Sequence, residues 1–297
     1  MQQTTIIAEK APRVAPLLAF WRAFRRWPVI PLIIIAAFVA CAIFGDLLAP
    51  LDPTAQSLRL RFLPPSWLEG GNPKYLLGTD NLGRDILSRI IVGARASFVV
   101  AISALAFGSV LGSLIGLASG YFGGKVDTLV MRTADGMMAF PLVLAALLLV
   151  AVIGPGVHTV VIAASFILWA RFARLTRSEV LSVKERDFIK LARIAGASHL
   201  RIMLVHILPN VLNSAVVLLT LQLGFVIIVE ATLSFLGAGV PPPTPTWGQM
   251  VSNGRAYIET AWWISLFPGL AIAAVVLAFN LLGDWLRDYL DPKLRQL

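Results

Sequence analysis

Apolar runs long enough to cross a bilayer constrain this chain more than anything else in it. Six stand out: Pro28 to Leu48, Ser97 to Leu117, Met137 to Ile153, Val157 to Ala173, Ala215 to Leu233 and Trp262 to Leu282. A Lys, Arg or Asp at mid-bilayer costs about 2.5–3.5 kcal/mol, so charge-poor stretches of this length read as spanning helices. Gly136 to Ala170 contains no Asp, Glu, Lys or Arg. As one helix it would be about 50 Å long, against a hydrocarbon core of about 30 Å, so it must be two. Gly154-Pro155-Gly156 is the expected break, because proline removes a backbone donor and glycine permits the turn. Composition agrees: 58% of the 297 residues are apolar and 14% charged, with a mean hydropathy of +0.80, whereas soluble domains carry about a quarter charged residues.

Basic residues orient the spans. Lys10, Arg13, Arg22, Arg25 and Arg26, the loop from Arg171 to Asn210, the end with Arg287, Lys293 and Arg295, and Lys125 and Arg132 all fall on one side. They hold about 18 of the 25 basic residues, which makes that side, with both termini, cytoplasmic by the positive-inside rule. The net charge of +9 therefore flanks membrane spans, and no nucleic-acid partner is expected. Arg25-Arg26 ahead of a run ending in Phe38-Val39-Ala40-Cys41 has the outline of a twin-arginine signal or a lipoprotein cleavage site, but the run continues through Ala42-Ile43-Phe44. A retained first span is expected. Cys41 is the only cysteine, which excludes an intrachain disulfide and a cysteine metal cluster, and His158, His199 and His206 lack metal-ligand spacing. No bound metal is expected.

The stretch from Glu185 to Asn210 carries two short apolar periodicities. Phe188, Leu191, Ala192 and Ala195 form one, and Leu200, Met203, Leu204, Ile207 and Leu208 the other. Gly196 suits the left-handed end of the first helix and Ser198 the N-cap of the second. The result is a helix-turn-helix knob outside the bilayer. Docking into a groove on a soluble partner and lying on acidic lipid through Arg186, Lys190, Arg193 and Arg201 are both open on these residues alone.

Lys190-Leu191-Ala192, Gly196 and Ile207-Leu208-Pro209 resemble the EAA loop of ATP-binding-cassette importer permeases. Four further motifs in family order resemble the C-type permease subunit of dipeptide and oligopeptide (and nickel) importers. They are Leu77-Gly78-Thr79-Asp80 through Gly83-Arg84-Asp85 with Gly93-Ala94-Arg95; Leu233-Ser-Phe-Leu-Gly237 with Pro242 to Gly248; Phe267-Pro-Gly269; and Asn280 to Asp288 with Asp291-Pro292. The resemblance implies an all-α polytopic membrane protein with six transmembrane helices, the type I importer permease fold, in a bacterial inner membrane. It also implies a homologous second permease subunit, two ATPase subunits, an extracytoplasmic substrate-binding protein and contact with membrane lipid.

In such permeases the EAA loop docks into the ATPase, which places Phe188, Lys190, Leu191, Ala192, Gly196, Leu200, Ile207 and Pro209 in the coupling element. Lys190 stands where the loop's glutamate belongs, so apolar contact by Phe188, Leu191 and Leu200 is the expected basis of docking. The chain is not expected to be an enzyme: Gly124-Lys125 is followed by Val126, and Ser119 stands where a phosphate loop begins with glycine. ATP and Mg are expected only in partner subunits, and the cargo is expected to be di- or oligopeptides. Nickel complexes and glutathione are alternatives within that machinery. A stand-alone secondary transporter is the alternative from another class, which would show internal repeats, broken spans near mid-membrane and coupling carboxylates, whereas Glu230 stands alone.

Three groups outside the loop invite attention. Gly108, Gly112, Gly116 and Gly120 recur every four residues, as a helix needs for close approach; static packing and a sliding face are both open. Glu230 is an acid well inside a span, for structural bonding or lining of the pathway. Asp80, Arg84 and Asp85 suit a local ion-pair cluster or an extracytoplasmic contact, Trp247 such a contact or anchoring at the membrane interface, and Asp135 is expected to pair with Arg132 one turn away. The organisation read from the chain is a tail at 1–27, a first helix at 28–48, an extracytoplasmic segment at 49–96, a five-helix core at 97–285 with a coupling loop at 171–212, and a tail at 286–297.

Overall fold

Nine helices follow one another along residues 28–290, the part of the chain described by the computed structural model; the basic residues of 1–27 and 291–297 lie outside it. They are α1 (Val29–Leu48), α2 (Ile86–Phe122), α3 (Gly124–Ala139), α4 (Leu142–Ile153), α5 (Val157–Val183), α6 (Asp187–Ile194), α7 (His199–Phe235), α8 (Trp247–Gly254) and α9 (Trp263–Leu290). Among the described residues there is no strand, only a lone antiparallel bridge between Thr79 and Asp85. Five helices, α1, α2, α5, α7 and α9, are long and apolar enough to span a bilayer, and α3 with α4 makes six if that bent pair counts as one span. The protein is an all-α polytopic membrane protein.

The expected third span, Met137 to Ile153, is not one straight helix. α3 and α4 meet at 88°. The cause is Pro141, which caps α4 and forces Phe140 before it into an extended conformation (φ −81°, ψ 132°). At 12 residues, α4 is about 18 Å long, too short to cross the core alone. The break at 154–156 is as expected, with Gly154 at φ 96° and α5 starting at Val157.

Helices also run past the boundaries read from the sequence. α2 begins at Ile86, inside the expected outer segment, where the Asp85 carboxylate accepts from the Ser88 amide at 2.8 Å. α5 continues to Val183, so the loop proper opens at Lys184, and α9 continues to Leu290. α2 and α5 form the central pair. α1 is keyed to the rest by Phe38, whose ring lies 6.0 Å from Phe98, 5.6 Å from Trp247 and 6.3 Å from Phe279. Two buried apolar clusters result. One fills the bundle around Leu105, Leu168, Phe172, Ile227 and Ile264, and a smaller one sits at the α6 end.

Candidate functional site

The smaller cluster determines how the α6 element stands on the bundle. Ile189 of α6 and Ile202 and Ile207 of α7 are buried against Leu117, Tyr121, Val180, Val183 and Val211. α6 stops where Gly196 takes φ 76°, and Ser198 caps α7 by accepting from the Arg201 amide at 3.4 Å. Polar ties reinforce the seat: Lys184 Nζ donates to the Gly120 carbonyl at 2.9 Å, and the Tyr121 hydroxyl meets His199 Nδ1 at 2.7 Å.

The opposite face of α6, continued by Leu200 of α7, is uncovered and carries large apolar side chains among the exposed Asp187 and Lys190. Phe188 is 39% exposed, Leu191 64%, Ile194 83% and Leu200 63%. Two of the residues assigned to contact from sequence have other duties. Ile207 is fully buried and belongs to the seat, and Ala192 is half-buried against the same cluster. Ile189 and Ile194 escaped the sequence reading because α6 is apolar on two faces, and a single periodicity cannot separate an inner from an outer stripe. Lys190 is exposed and 3.3 Å from Asp187 on its own helix, a contact of little energetic weight.

Pro209 acts on backbone geometry. From Ile202 to Ile207 the helix widens to π form, with the Leu208 amide bonded to the Met203 carbonyl. Proline has no amide for the Val205 carbonyl, and its ring would strike that carbonyl in an α-helix. The wider turn accommodates both, and Asn210 Nδ2 donates to the His206 carbonyl at 2.7 Å.

The glycine stripe faces α5. A methyl on Gly108 would stand 2.5 Å from Leu168 Cβ, and on Gly120 2.9 Å from Val180 Cβ; on Gly112 and Gly116 it would enter the backbone carbonyls of Trp169 and Ala173. All four serve packing within this chain.

Glu230 is fully buried between α2 and α7. Ser97 Oγ donates to one carboxyl oxygen at 2.6 Å and Ser234 Oγ to the other at 2.7 Å. It joins helices and does not face an open passage. At the other candidate cluster, Arg84 Nε lies 2.7 Å from Asp80, with Arg89 at 3.7 Å from the same carboxylate. Asp85 caps α2 through Ser88, and the Trp247 indole donates to the Ile90 carbonyl at 2.8 Å. Asp80, Arg84, Asp85 and Trp247 are all buried, so they are internal ties and not an exposed outer contact: Asp80 pairs locally with Arg84, Asp80 and Asp85 hold the segment 49–85 to α2 through Arg89 and Ser88, and Trp247 holds α8 to α2. Asp52 in that segment is exposed, and bonds from the Thr54 hydroxyl and amide hold its carboxyl below the usual carboxylate range.

A ladder on α5 was missed. Arg177 makes a two-pronged bond to Asp127 of α3 at 3.0 and 2.6 Å, and Arg174 pairs with Asp135. Asp135 therefore does not take Arg132. Deeper in the helix, Arg171 donates to Gln222 Oε1 of α7 at 2.8 Å and lies 4.1 Å over the Phe225 ring. Spacing of three on α5 and of eight on α3 was the signal available. A cavity of about 560 Å³ opens here, lined by Met138, Arg171, Arg174, Ser178, Leu218 and Gln222. No group of three His, Cys, Asp or Glu side chains among the described residues is arranged to hold a metal.

Residues 108–296 match the family described as binding-protein-dependent transport system inner membrane component. The chain is 44% identical over 283 residues to the di/tripeptide transport system permease protein DppC of Pseudomonas aeruginosa, covering 95% of this chain and 93% of that one. It is 43% identical over 301 residues to the dipeptide transport system permease protein DppC of Escherichia coli K12, covering all of both. Among solved structures, a chain of the MetNI methionine ABC transporter in inward-facing form superposes with a TM-score of 0.56 at 16% identity, covering 69% of this chain and 98% of that one. A chain of an amino acid ABC transporter does so with 0.51 at 18%, covering 71% and 95%. At these identities the structures establish the fold alone.

Proposed function

The chain belongs to the family of binding-protein-dependent transport system inner membrane components, and from that membership we propose that it carries di- and tripeptides inward as half of a permease pair, driven by ATPases docked on the α6 face. The uncovered Phe188, Leu191, Ile194 and Leu200 above a buried, packed seat are the observation that supports the docking. These exposed apolar side chains give a soluble partner something to gain by covering them, and the buried seat joins them to the bundle that the partner's movement would have to reach. Full-length likeness to dipeptide permeases supports the cargo.

In this reading the α6 end and both termini are cytoplasmic, in a bacterial inner membrane. ATP and Mg belong to two partner subunits, and an extracytoplasmic protein delivers the peptide. The test is reconstitution with the second permease, the ATPases and the binding protein in liposomes. ATP-dependent accumulation of labelled dialanine is expected. ATP hydrolysis stimulated by the loaded binding protein without accumulation, or uptake by this chain without ATPases, would overturn the reading.

A further inference from the structure

The three arginines of α5 are not matched alike. Arg177 and Arg174, nearer the α6 end, each have an aspartate of α3. Arg171 has no carboxylate partner among the described residues; a neutral amide and an aromatic face hold it instead. One turn beyond Asp135 on α3 stands Met138, which lines the cavity beside Arg171 and brings no charge. Arg171 lies about 14 residues from the start of α5, or about 21 Å, so a span that enters a core of about 30 Å at Val157 holds it inside. A cation at that depth marks a ligand or ion path by default. Gln222, itself more than nine-tenths buried, fixes the guanidinium by one N–H and leaves the others for a planar anion.

We propose that Arg171, aligned by Gln222 and Phe225, binds the terminal carboxylate of the peptide during its passage, the cavity at Met138 and Ser178 receiving the rest. This rests on the peptide cargo proposed above. The fork supplies what a carboxylate needs, two parallel donors, and lacks only the negative charge that the cargo brings.

The experiment uses the full complex of both permeases and ATPases in nanodiscs, without binding protein. Equilibrium binding of radiolabelled dialanine is compared with that of its C-terminal amide. The wild-type complex is expected to prefer the acid by about tenfold, and Arg171→Gln to abolish the preference. Gln222→Leu keeps the charge but removes its aligning oxygen, and is expected to reduce the preference about threefold; it carries the test should Arg171→Gln fail to fold. Equal binding of acid and amide in the wild type, or an unchanged ratio in the variants, overturns the site. Dissociation of the permease pair by Arg171→Gln also overturns it, by assigning the missing carboxylate to the neighbouring subunit. If the wild-type liposomes accumulate dialanine while the ratio stays unchanged, only this inference falls. If they accumulate none, the peptide reading falls first.

Discussion

Glu230 shows how little a residue type says without its neighbours. An acid within a span was legible in the sequence, but Ser97 is remote in the chain and nothing local pointed to it. Glu230→Gln retains an acceptor for one serine and is expected to leave thermal stability in detergent nearly unchanged. Glu230→Leu strands two buried hydroxyls, at about 1–3 kcal/mol each, and should lower the melting temperature clearly. The glycines were easier, because a four-residue interval defines a stripe by itself. Their partner was not legible, since α5 has no matching repeat. Gly112→Val meets the Trp169 backbone, which cannot swing aside as a side chain would. A loss of about 1–3 kcal/mol or more is expected, read as reduced yield of monodisperse protein on size exclusion. Normal yield would show that α2 and α5 separate readily.

On the scale of elements, the coupling unit tests whether seat and docking face are separate. Leu191→Asp is expected to preserve folding, because that side chain is largely exposed, while reducing the transport achieved per ATP hydrolysed by about tenfold. Ile189→Asp places a charge in the buried cluster and should reduce the folded fraction itself. Paired ATPase and uptake measurements on the two variants separate these outcomes; identical behaviour would mean that α6 has no distinct faces. Legibility differed in the same way among the spans. Gly154-Pro155-Gly156 announced its break, whereas Phe140-Pro141 lay within a charge-free run and was read through. Length and apolarity count residues in a span but do not report direction, and the 88° bend is a matter of direction.

Over the whole molecule, the spans bury unequal shares of themselves inside the chain, from 22% for the apolar window of α1 to 56% for that of α5. With the smallest buried share of the spans, α1 is the most peripheral of them and is keyed to the bundle by Phe38. Between lipid and protein there is no hydrophobic gain to lose, only packing. Phe38→Ala is accordingly expected to cost about 1–2 kcal/mol, below the usual 3–5 for a soluble core, with transport retained; a collapse of assembly would make α1 integral to the core. The π-form turn ahead of Pro209 sets one more relation across the molecule. A π turn holds one residue more than an α turn, and each residue of a helix advances its azimuth by about 100°. The angular phase between the docking stripe and every side chain of α7 within the membrane is thus fixed by a single proline. Pro209→Ala lets the turn tighten and is expected to mistime hydrolysis and uptake while altering no contacting side chain, a change in gearing and not in grip.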